Sequence, residues 1–292
     1  MHNPFIERRD DSETDGQLLE GALSGDAGAL ERLVYRHQAW IYNIVLRMVL
    51  DTHDAEDATQ EILVKIVTRL SSFDATKGAL RTWIYRIAAN HVLNMKRALP
   101  EALMLDGPRL REEFTPSIED YADTRAGSSP DSALLAQETR ERCLTGLLLC
   151  LERRQRLVFI LGGVFGVPAK TGAEIVGVSA VNYRAMLSRA RGRLANFLES
   201  RCSLVDPSNP CRCSRQVANM IRVKWLDPDV VRPGNGGRVN VADASGERPR
   251  GASLTGALRL YRESPFIEGP DMASRVREII AREEVQELMR FH

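Results

Sequence analysis

The sequence predicts an all-α fold: two small helical domains, an acidic linker between them, and a partly helical C-terminal extension. Three observations predict it. In the first half, apolar residues recur at four-residue spacing, as at Ile62, Ile66 and Leu70, which is the pattern of a helix that packs on one side. In the second half, Gly177 separates two short helical patterns, as in a helix-turn-helix motif. Residues 98–132, between the halves, are rich in proline and show little apolar period.

The length of 292 residues suits two small domains and additional segments. We expect a disordered N-terminus at 1–16, a first domain at 17–97, a flexible linker at 98–132, a second domain at 133–200 and an extension at 201–292. No apolar run approaches the ~18–20 residues of a membrane span, so we expect no membrane partner. Residues 1–16 lack the apolar centre of a signal peptide, which predicts a cytoplasmic protein.

Residues 51–97 predict two helices of opposite charge joined by a tight turn at 73–78. The first helix should begin at an N-cap, Asp54, and the second near Ala79. Residues 51–65 hold five acidic side chains and one lysine, whereas residues 74–97 hold five basic side chains and one acidic. An acidic helix followed by a basic helix suggests two different partners.

The basic helix also carries Trp83 and Tyr85 among its cations. Cations and aromatic rings together can hold phosphates and stack on unpaired bases. The alternative is that both charged faces are merely solvated and both rings belong to the core.

The helix before this pair should open at Gly25-Asp26 and cover the apolar faces of the next two helices. His37 and His53 are isolated from other metal-ligating residues. We therefore interpret both as solvated or core histidines rather than metal ligands.

The order, spacing and charge switch of this stretch resemble the second conserved region of bacterial RNA polymerase sigma factors of the extracytoplasmic-function (ECF) group. The motifs are DAEDATQE, FDATKG and LRTWIYRIAANHVLNMKR. The resemblance implies that the acidic helix docks on the β′ clamp of core RNA polymerase, and that the turn and basic helix open the promoter −10 element and hold a flipped base. Carried over by position, Asp57, Gln60 and Glu61 would bind polymerase. The DNA-binding residues would be Lys77, Arg81, Arg86, Asn90, Asn94 and Arg97.

The linker holds eight acidic and three basic residues over 98–135. A negative flexible strand cannot adhere to DNA, but it can lie in a basic channel. In sigma factors the corresponding connector threads toward the polymerase active centre. The alternative is a plain solubilising linker.

In the second domain, Ser179 should cap the second helix of the helix-turn-helix, with Val181 among the residues that seat it on the first. Residues 151–202 carry nine basic and three acidic side chains, as expected of a major-groove reader. This segment resembles the fourth conserved region of the same family, which reads the −35 element and touches the polymerase β flap. The DNA-binding residues would be Ser179, Asn182, Tyr183, Arg184, Ser188 and Arg189.

Four features depart from the family pattern. Gly162-Gly163 replaces polar helix formers, Pro168 enters the first helix of the motif, Gly172 replaces an aliphatic core residue, and Met186 replaces a frequent arginine. A helix-interior glycine costs about 0.5–1 kcal/mol relative to alanine. We therefore expect a preserved fold with weak or altered promoter affinity.

The extension contains three closely spaced thiols, Cys202, Cys211 and Cys213. Their spacing is not that of a structural zinc site, and a fourth ligand is missing unless Cys150 or a histidine joins them. Arg212 beside them should favour thiolate, so a soft metal ion or a disulfide is one interpretation and inert thiols the other. Residues 227–256 should form a loop, and residues 270–291 an amphipathic helix that packs on one of the domains.

These features predict a sigma factor, without catalytic activity of its own, that joins core RNA polymerase and directs promoter recognition and melting. The alternatives are a helix-turn-helix regulator that never binds polymerase, and a sigma-like metal or redox sensor that acts through its cysteine tail. No GxxxxGK[ST], HExxH or GxSxG motif suggests an enzyme. We expect no cofactor beyond that soft metal ion, and the sequence leaves open whether an anti-sigma factor binds.

Overall fold

The computed structural model describes residues 13–96, 130–222, 225–227, 254–262, 267 and 269–280. These residues are helical with irregular connections, and no strand occurs among them, in agreement with the predicted all-α class. The chain divides into two compact units. Unit 1 comprises Met1–Lys96, Arg153–Leu187 and Phe266–His292, and unit 2 comprises Arg97–Glu152 and Ser188–Pro265. The contiguous domain boundaries expected from the sequence stay a prediction.

Unit 1 begins with four helices that pack around one core. They are α1 (Asp15–Leu23), α2 (Ala27–Val49), α3 (Thr52–Thr68) and α4 (Leu80–Asn94). α2 packs on α1 and α3, and α3 packs on α4. Ile41, Val45 and Ile62 are almost completely buried there. The apolar period of the sequence therefore becomes the core of a helical bundle.

Local capping sets where these helices begin. Thr14 and Gln17 form a capping box at α1, so this helix already includes residues 15 and 16 of the predicted disordered N-terminus. Asp26 caps α2 as predicted. Asp51 rather than Asp54 caps α3, because its carboxylate accepts hydrogen bonds from the amides of residues 53 and 54, at 2.8 and 2.9 Å. The prediction for Asp54 was wrong by one turn.

The turn between α3 and α4 holds two short 3₁₀ segments, Leu70–Ser72 and Ala75–Lys77. The carboxylate of Asp74 accepts a hydrogen bond from the amide of Thr76 at 3.0 Å. Gly78 has φ 151° and ψ −178°, a region that is essentially open only to glycine. α4 then begins after Ala79, as predicted.

The helix-turn-helix consists of α5 and α6, and unit 1 includes it as far as Leu187. α5 (Ala169–Val176) follows a short helix, Arg153–Phe159, and a π-helical turn, Ile160–Val164. Gly177 adopts the left-handed conformation (φ 72°) between α5 and α6 (Ala180–Arg201). Pro168 precedes α5 as its N-cap and does not enter the helix, so that expected disturbance is absent.

Unit 2 contains a helix at Pro130–Leu147, the later part of α6 from Ser188, and helices at Cys213–Arg222 and Leu254–Arg262. The helix Cys213–Arg222 was not predicted, and the predicted loop 227–256 ends in the first turn of Leu254–Arg262. Linker residues 98–129 lie outside the described residues, and a helix begins at Pro130, three residues before the expected domain boundary at 133. Of the helix predicted at 270–291, the structure describes Met272–Ile280, which belongs to unit 1.

Candidate functional site

The polar side of α3 carries the residues predicted to bind polymerase. Asp57 and Glu61 are exposed and Gln60 is half-buried. Glu61 lies 3.6 Å from Lys65 and 3.8 Å from the Nε2 atom of His91. Burial and the neighbouring Lys65 lower the pKa of His91, although Glu61 opposes them. His91 is therefore neutral at physiological pH, and the face of α3 stays acidic.

The polar side of α4 carries a straight row of donors. Arg86, Asn90 and Asn94 are all exposed, and their four-residue spacing places them one above another along the helix. The Nε atom of Arg86 donates to the backbone carbonyl of Glu174 on α5 at 3.2 Å. Arg97, the last residue expected in this row, lies outside the described residues. Three of the predicted contacts thus form one continuous surface.

Lys77 lies in the turn before this row and is 83% exposed. It pairs with Asp74 at 3.0 Å. Hydrogen bonds from Thr76 and Lys77 lower the pKa of Asp74 to about 2. The turn therefore presents a carboxylate beside its lysine, which weakens the local positive field that the sequence suggested.

Arg81 does not belong to the exposed surface, in contrast to the prediction. Its side chain is 12% exposed and its Nε atom donates to the carboxylate of Asp15 in α1. Arg36 binds the same carboxylate at 2.8 Å, and the Nε2 atom of His37 lies 3.6 Å from it. Burial alone would raise the pKa of Asp15, but the neighbouring His37 and the hydrogen bonds from Arg81 and Arg36 hold it well below its usual value. Arg81 therefore stabilises the bundle.

The two aromatic residues of α4 have different surroundings. Trp83 is half-buried and meets Phe73 of the turn edge to face, with 5.8 Å between ring centroids. Tyr85 is 1% exposed, and burial raises the pKa of its hydroxyl well above its usual value. Only Trp83 therefore remains a candidate for stacking on a base, and the core interpretation is correct for Tyr85.

The second helix of the helix-turn-helix, α6, presents most of the residues predicted to read DNA. Ser179 accepts a hydrogen bond from the amide of Asn182 at 3.2 Å, as expected of an N-cap residue. Four predicted side chains, Asn182, Arg184, Ser188 and Arg189, are exposed. The sixth, Tyr183, is 0% exposed, and its hydroxyl donates to the carbonyl of Val158 at 3.3 Å. Tyr183 is therefore a core residue and not a DNA contact.

Val181 is a surface residue that the sequence analysis placed in the packing face. It is 70% exposed at the start of α6, next to Asn182. Exposed apolar side chains at this position of a recognition helix can contact the methyl group of thymine. Val181 lies in the first turn of α6, before the periodic core positions Met186 and Ala190. That position is the sequence signal that could have identified it as a surface residue.

The cysteines of unit 2 lie near one another. Cys202 and Cys211 stand side by side, because the amide of Ser203 donates to the carbonyl of Cys211 and the amide of Cys211 donates to that of Arg201, both at 3.2 Å. Cys143, in the helix Pro130–Leu147, packs against the cluster formed by Val217, Met220 and Leu226, and its thiol interacts electrostatically with the three others. The fourth thiol near these three is thus Cys143, whereas the sequence suggested Cys150 or a histidine.

Burial disfavours the thiolate form of Cys143, Cys211 and Cys213, contrary to the expectation that Arg212 would favour it. Burial raises the pKa of Cys211 and raises that of Cys213 to about 12, and the other thiols add to it. Arg212 opposes the shift at Cys211 but also binds the carbonyl of Pro207 at 2.8 Å. In the described part of the chain, no three His, Cys, Asp or Glu side chains are placed to hold a metal ion.

The described part of the chain has no helix with both the length and the apolar character needed to cross a bilayer.

Two segments of the chain match family models. The model of Sigma-70 region 2 matches residues 33–99, and that of Sigma-70, region 4, matches residues 141–194. These matches include α3, α4 and the helix-turn-helix.

Three curated relatives are similar over much of the chain. The RNA polymerase sigma-H factor of Pseudomonas aeruginosa is 38% identical over 191 residues, which cover 64% of this chain and 95% of that protein. The ECF RNA polymerase sigma-E factor of Escherichia coli is 28% identical over the same shares of both chains. The ECF RNA polymerase sigma factor SigG of Mycobacterium tuberculosis is 30% identical over 56% of this chain, which spans about half (47%) of that relative.

A solved structure described as "Structure of CnrH in complex with the cytosolic domain of CnrY" aligns with 64% of this chain and 98% of that chain, at 21% identity and a TM-score of 0.43. The family assignment depends on the relatives and the two matched regions. The chain belongs to the ECF group of RNA polymerase sigma factors.

Proposed function

We propose that this chain is a cytoplasmic initiation factor that binds core RNA polymerase through α3 and reads and melts promoter DNA through α4 and α6. The observation that carries the proposal is the separation of charge between neighbouring helices. Asp57 and Glu61 are exposed on α3, whereas Arg86, Asn90 and Asn94 form an exposed row of donors on α4. An acidic surface suits a basic protein partner, and a row of donors suits separated DNA strands.

The polymerase surface can be tested by charge reversal at Asp57 and Glu61. Both side chains are exposed, so D57K/E61K should leave the bundle folded and weaken core binding at least tenfold, because favourable charge pairs become repulsive. The matched control is Glu20→Lys, which reverses an exposed acidic residue on α1. Affinity for core polymerase, measured by fluorescence anisotropy, should fall only in the double variant. An unchanged affinity would exclude this surface.

The DNA surface of α4 can be tested by alanine at Arg86 and Asn90. Both residues are proposed to meet separated strands, so R86A/N90A should reduce open-complex formation more than closed-complex binding. Permanganate reactivity of unpaired thymines reports melting, and gel retardation reports binding. Permanganate patterns identical to wild type would contradict the role.

For α6, Arg184 and Arg189 are the proposed contacts to the −35 element, with Val181 as a candidate for thymine-methyl contact. A helix-turn-helix regulator that acts without polymerase is the competing function. Two observations favour the sigma function over it: the acidic surface of α3 and the match of residues 33–99 to Sigma-70 region 2. Copurification with core polymerase separates the two functions.

A further inference from the structure

The segment from Ile267 to the helix Met272–Ile280, named here the tail segment, lies against α2 and α3 within unit 1. It is separated from α2 by more than two hundred residues of sequence. Its helix packs on both α2 and α3. The surface formed by these two helices is thus occupied by a part of the same chain.

Two buried amide side chains of α2 recognise the backbone of the tail segment. Asn43, which is 0% exposed, donates to the carbonyl of Ile267 at 2.6 Å and accepts from its amide at 3.1 Å. Gln38 accepts from the amide of Met272 at 2.9 Å, at the start of the tail helix. Burying an amide without a partner costs about 1–3 kcal/mol. The polar positions of this largely apolar face therefore match a bound peptide backbone.

Apolar and steric fit accompany these hydrogen bonds. Met272 and Val276, one helical turn apart, are each 1% exposed. Gly269 lies so close to Tyr42 that a Cβ atom there would come within 2.9 Å of the ring. The contact combines buried apolar side chains, hydrogen-bonded amides and a position, Gly269, with no space for a side chain. These features together make it specific to this segment.

The charges are complementary as well. Arg275 lies 3.5 Å from Glu56 on α3, and Arg277 pairs with Glu31 on α2. Glu56 and Gln60 are four residues apart, so they belong to one row of α3. The tail helix, about 10 Å across with its side chains, thus contacts α3 one helical turn from Gln60, a residue of the proposed polymerase surface.

We propose that the surface of α2 and α3 is a docking site for a basic amphipathic helix, that the tail segment is its occupant in the free protein, and that core RNA polymerase must displace this segment to bind. The inference rests on the proposed function. A tethered segment competes as an intramolecular ligand, at an effective concentration set by the length of its connection. If the segment is docked in about 90% of molecules, the apparent affinity for core polymerase is reduced about tenfold.

The test uses the full chain with changes only in the tail segment. M272D/V276D places two carboxylates in the apolar contact, and R275E/R277E places acidic residues opposite Glu56 and Glu31. The control is Met272→Leu, which keeps an apolar side chain of similar size. Hydrogen exchange at the amide of residue 272 reports docking, exchange within α2 reports folding, and fluorescence anisotropy reports core binding.

Both double variants should exchange rapidly at residue 272, retain protection in α2 and bind core polymerase about tenfold more tightly than wild type, and Met272→Leu should match wild type. Exchange at residue 272 in the wild type as fast as in the double variants would overturn the docking. Release of the segment without a gain in core affinity would overturn the competition while leaving the proposed function intact. If no form binds core polymerase, the proposed function fails together with the inference.

Discussion

At the scale of single residues, burial decides the chemistry of the charged and sulfur-containing groups. Asp15 is 5% exposed and is held ionised by Arg36 and Arg81. Cys213 is kept protonated because removal from water disfavours the thiolate. Neither result follows from the nearest neighbours in sequence, since Arg81 lies 66 residues from Asp15.

The buried carboxylate leads to a stability prediction. Asp15→Asn leaves Arg36 and Arg81 without their anionic partner, so the free energy of unfolding should fall by about 3 kcal/mol at pH 7. The pKa of Asp15 is lowered on folding, so its contribution is complete well above the unfolded value of ~3.9 and is lost as pH falls below it. The difference between variant and wild type, measured by urea denaturation, should therefore shrink below about pH 4.

The control for this change is Asp26→Asn, because asparagine caps a helix as well as aspartate does. It should alter the stability little at any pH. A difference between D15N and wild type that does not vary with pH would contradict the assigned ion pairs.

The thiols lead to a reactivity prediction. With its pKa raised to about 12, Cys213 should react with iodoacetamide at pH 8 about a hundredfold more slowly than an ordinary thiol of pKa ~8.5, after allowing for its greater intrinsic nucleophilicity. The rate should rise about tenfold per pH unit up to pH 11. Mass spectrometry of the peptide that contains Cys213 measures it, with urea-unfolded protein as the reference. Fast alkylation at pH 7 would indicate a stabilised thiolate and restore the sensor interpretation.

At the scale of elements, two glycines of the helix-turn-helix region, Gly162 and Gly172, lie against the side chain of Tyr183. Tyr183 on α6 fills the space beside α5, and a Cβ atom at Gly172 would come within 2.4 Å of that ring. A Cβ atom at Gly162 would come within 2.8 Å of the Tyr183 hydroxyl. The departures from the family pattern at 162 and 172 thus accompany a large core residue at 183. The expected effect on promoter affinity stays a prediction.

This packing predicts opposite effects for two Gly→Ala changes. Gly172→Ala should destabilise the fold by about 1–3 kcal/mol, because the buried ring cannot move without strain. Gly192→Ala, in the interior of α6, meets nothing within 4 Å and should stabilise it by about 0.5–1 kcal/mol through helix propensity. Thermal denaturation followed by circular dichroism compares the two. A stabilised G172A would show that the ring does not occupy this position.

At the scale of the whole molecule, unit 1 places the two proposed promoter-reading elements together. α4 packs on α5, and Arg86 of α4 binds the carbonyl of Glu174. Arg153 donates to the backbone carbonyl of Lys96, just after α4, at 3.0 Å. The −10 and −35 elements are roughly 80 Å apart along B-DNA at about 3.4 Å per base pair. α4 and the helix-turn-helix therefore cannot bind both elements while packed together.

This conflict predicts a separation that can be measured. Fluorophores at the exposed positions Ser71 and Lys170, attached through unnatural amino acids, should lose energy transfer when core polymerase and promoter DNA are added. Labels at Glu20 and Ser71, both within residues 13–96, should keep their transfer efficiency. Constant transfer between 71 and 170 in the initiation complex would contradict the separation.

The sequence by itself determined the features that depend on neighbours within about one helical turn. Asp26, Gly177 and Ser179 act at the helix ends where their local chemistry places them. Charge and apolar period are properties of short stretches of sequence. They therefore predicted the acidic α3, the basic α4 and the basic helix-turn-helix. Those stretches also carry the motifs that assign the family.

Only the tertiary structure decided which of the predicted site residues reach the surface. Arg81 and Tyr183 are of residue types that commonly contact DNA. In the folded chain, however, Arg81 pairs with Asp15 and Tyr183 fills the space beside Gly172. The docking of Ile267 on Asn43 joins residues 224 positions apart. Burial and partnership depend on which helix faces meet, and desolvation then decides whether a polar group serves the core or a partner.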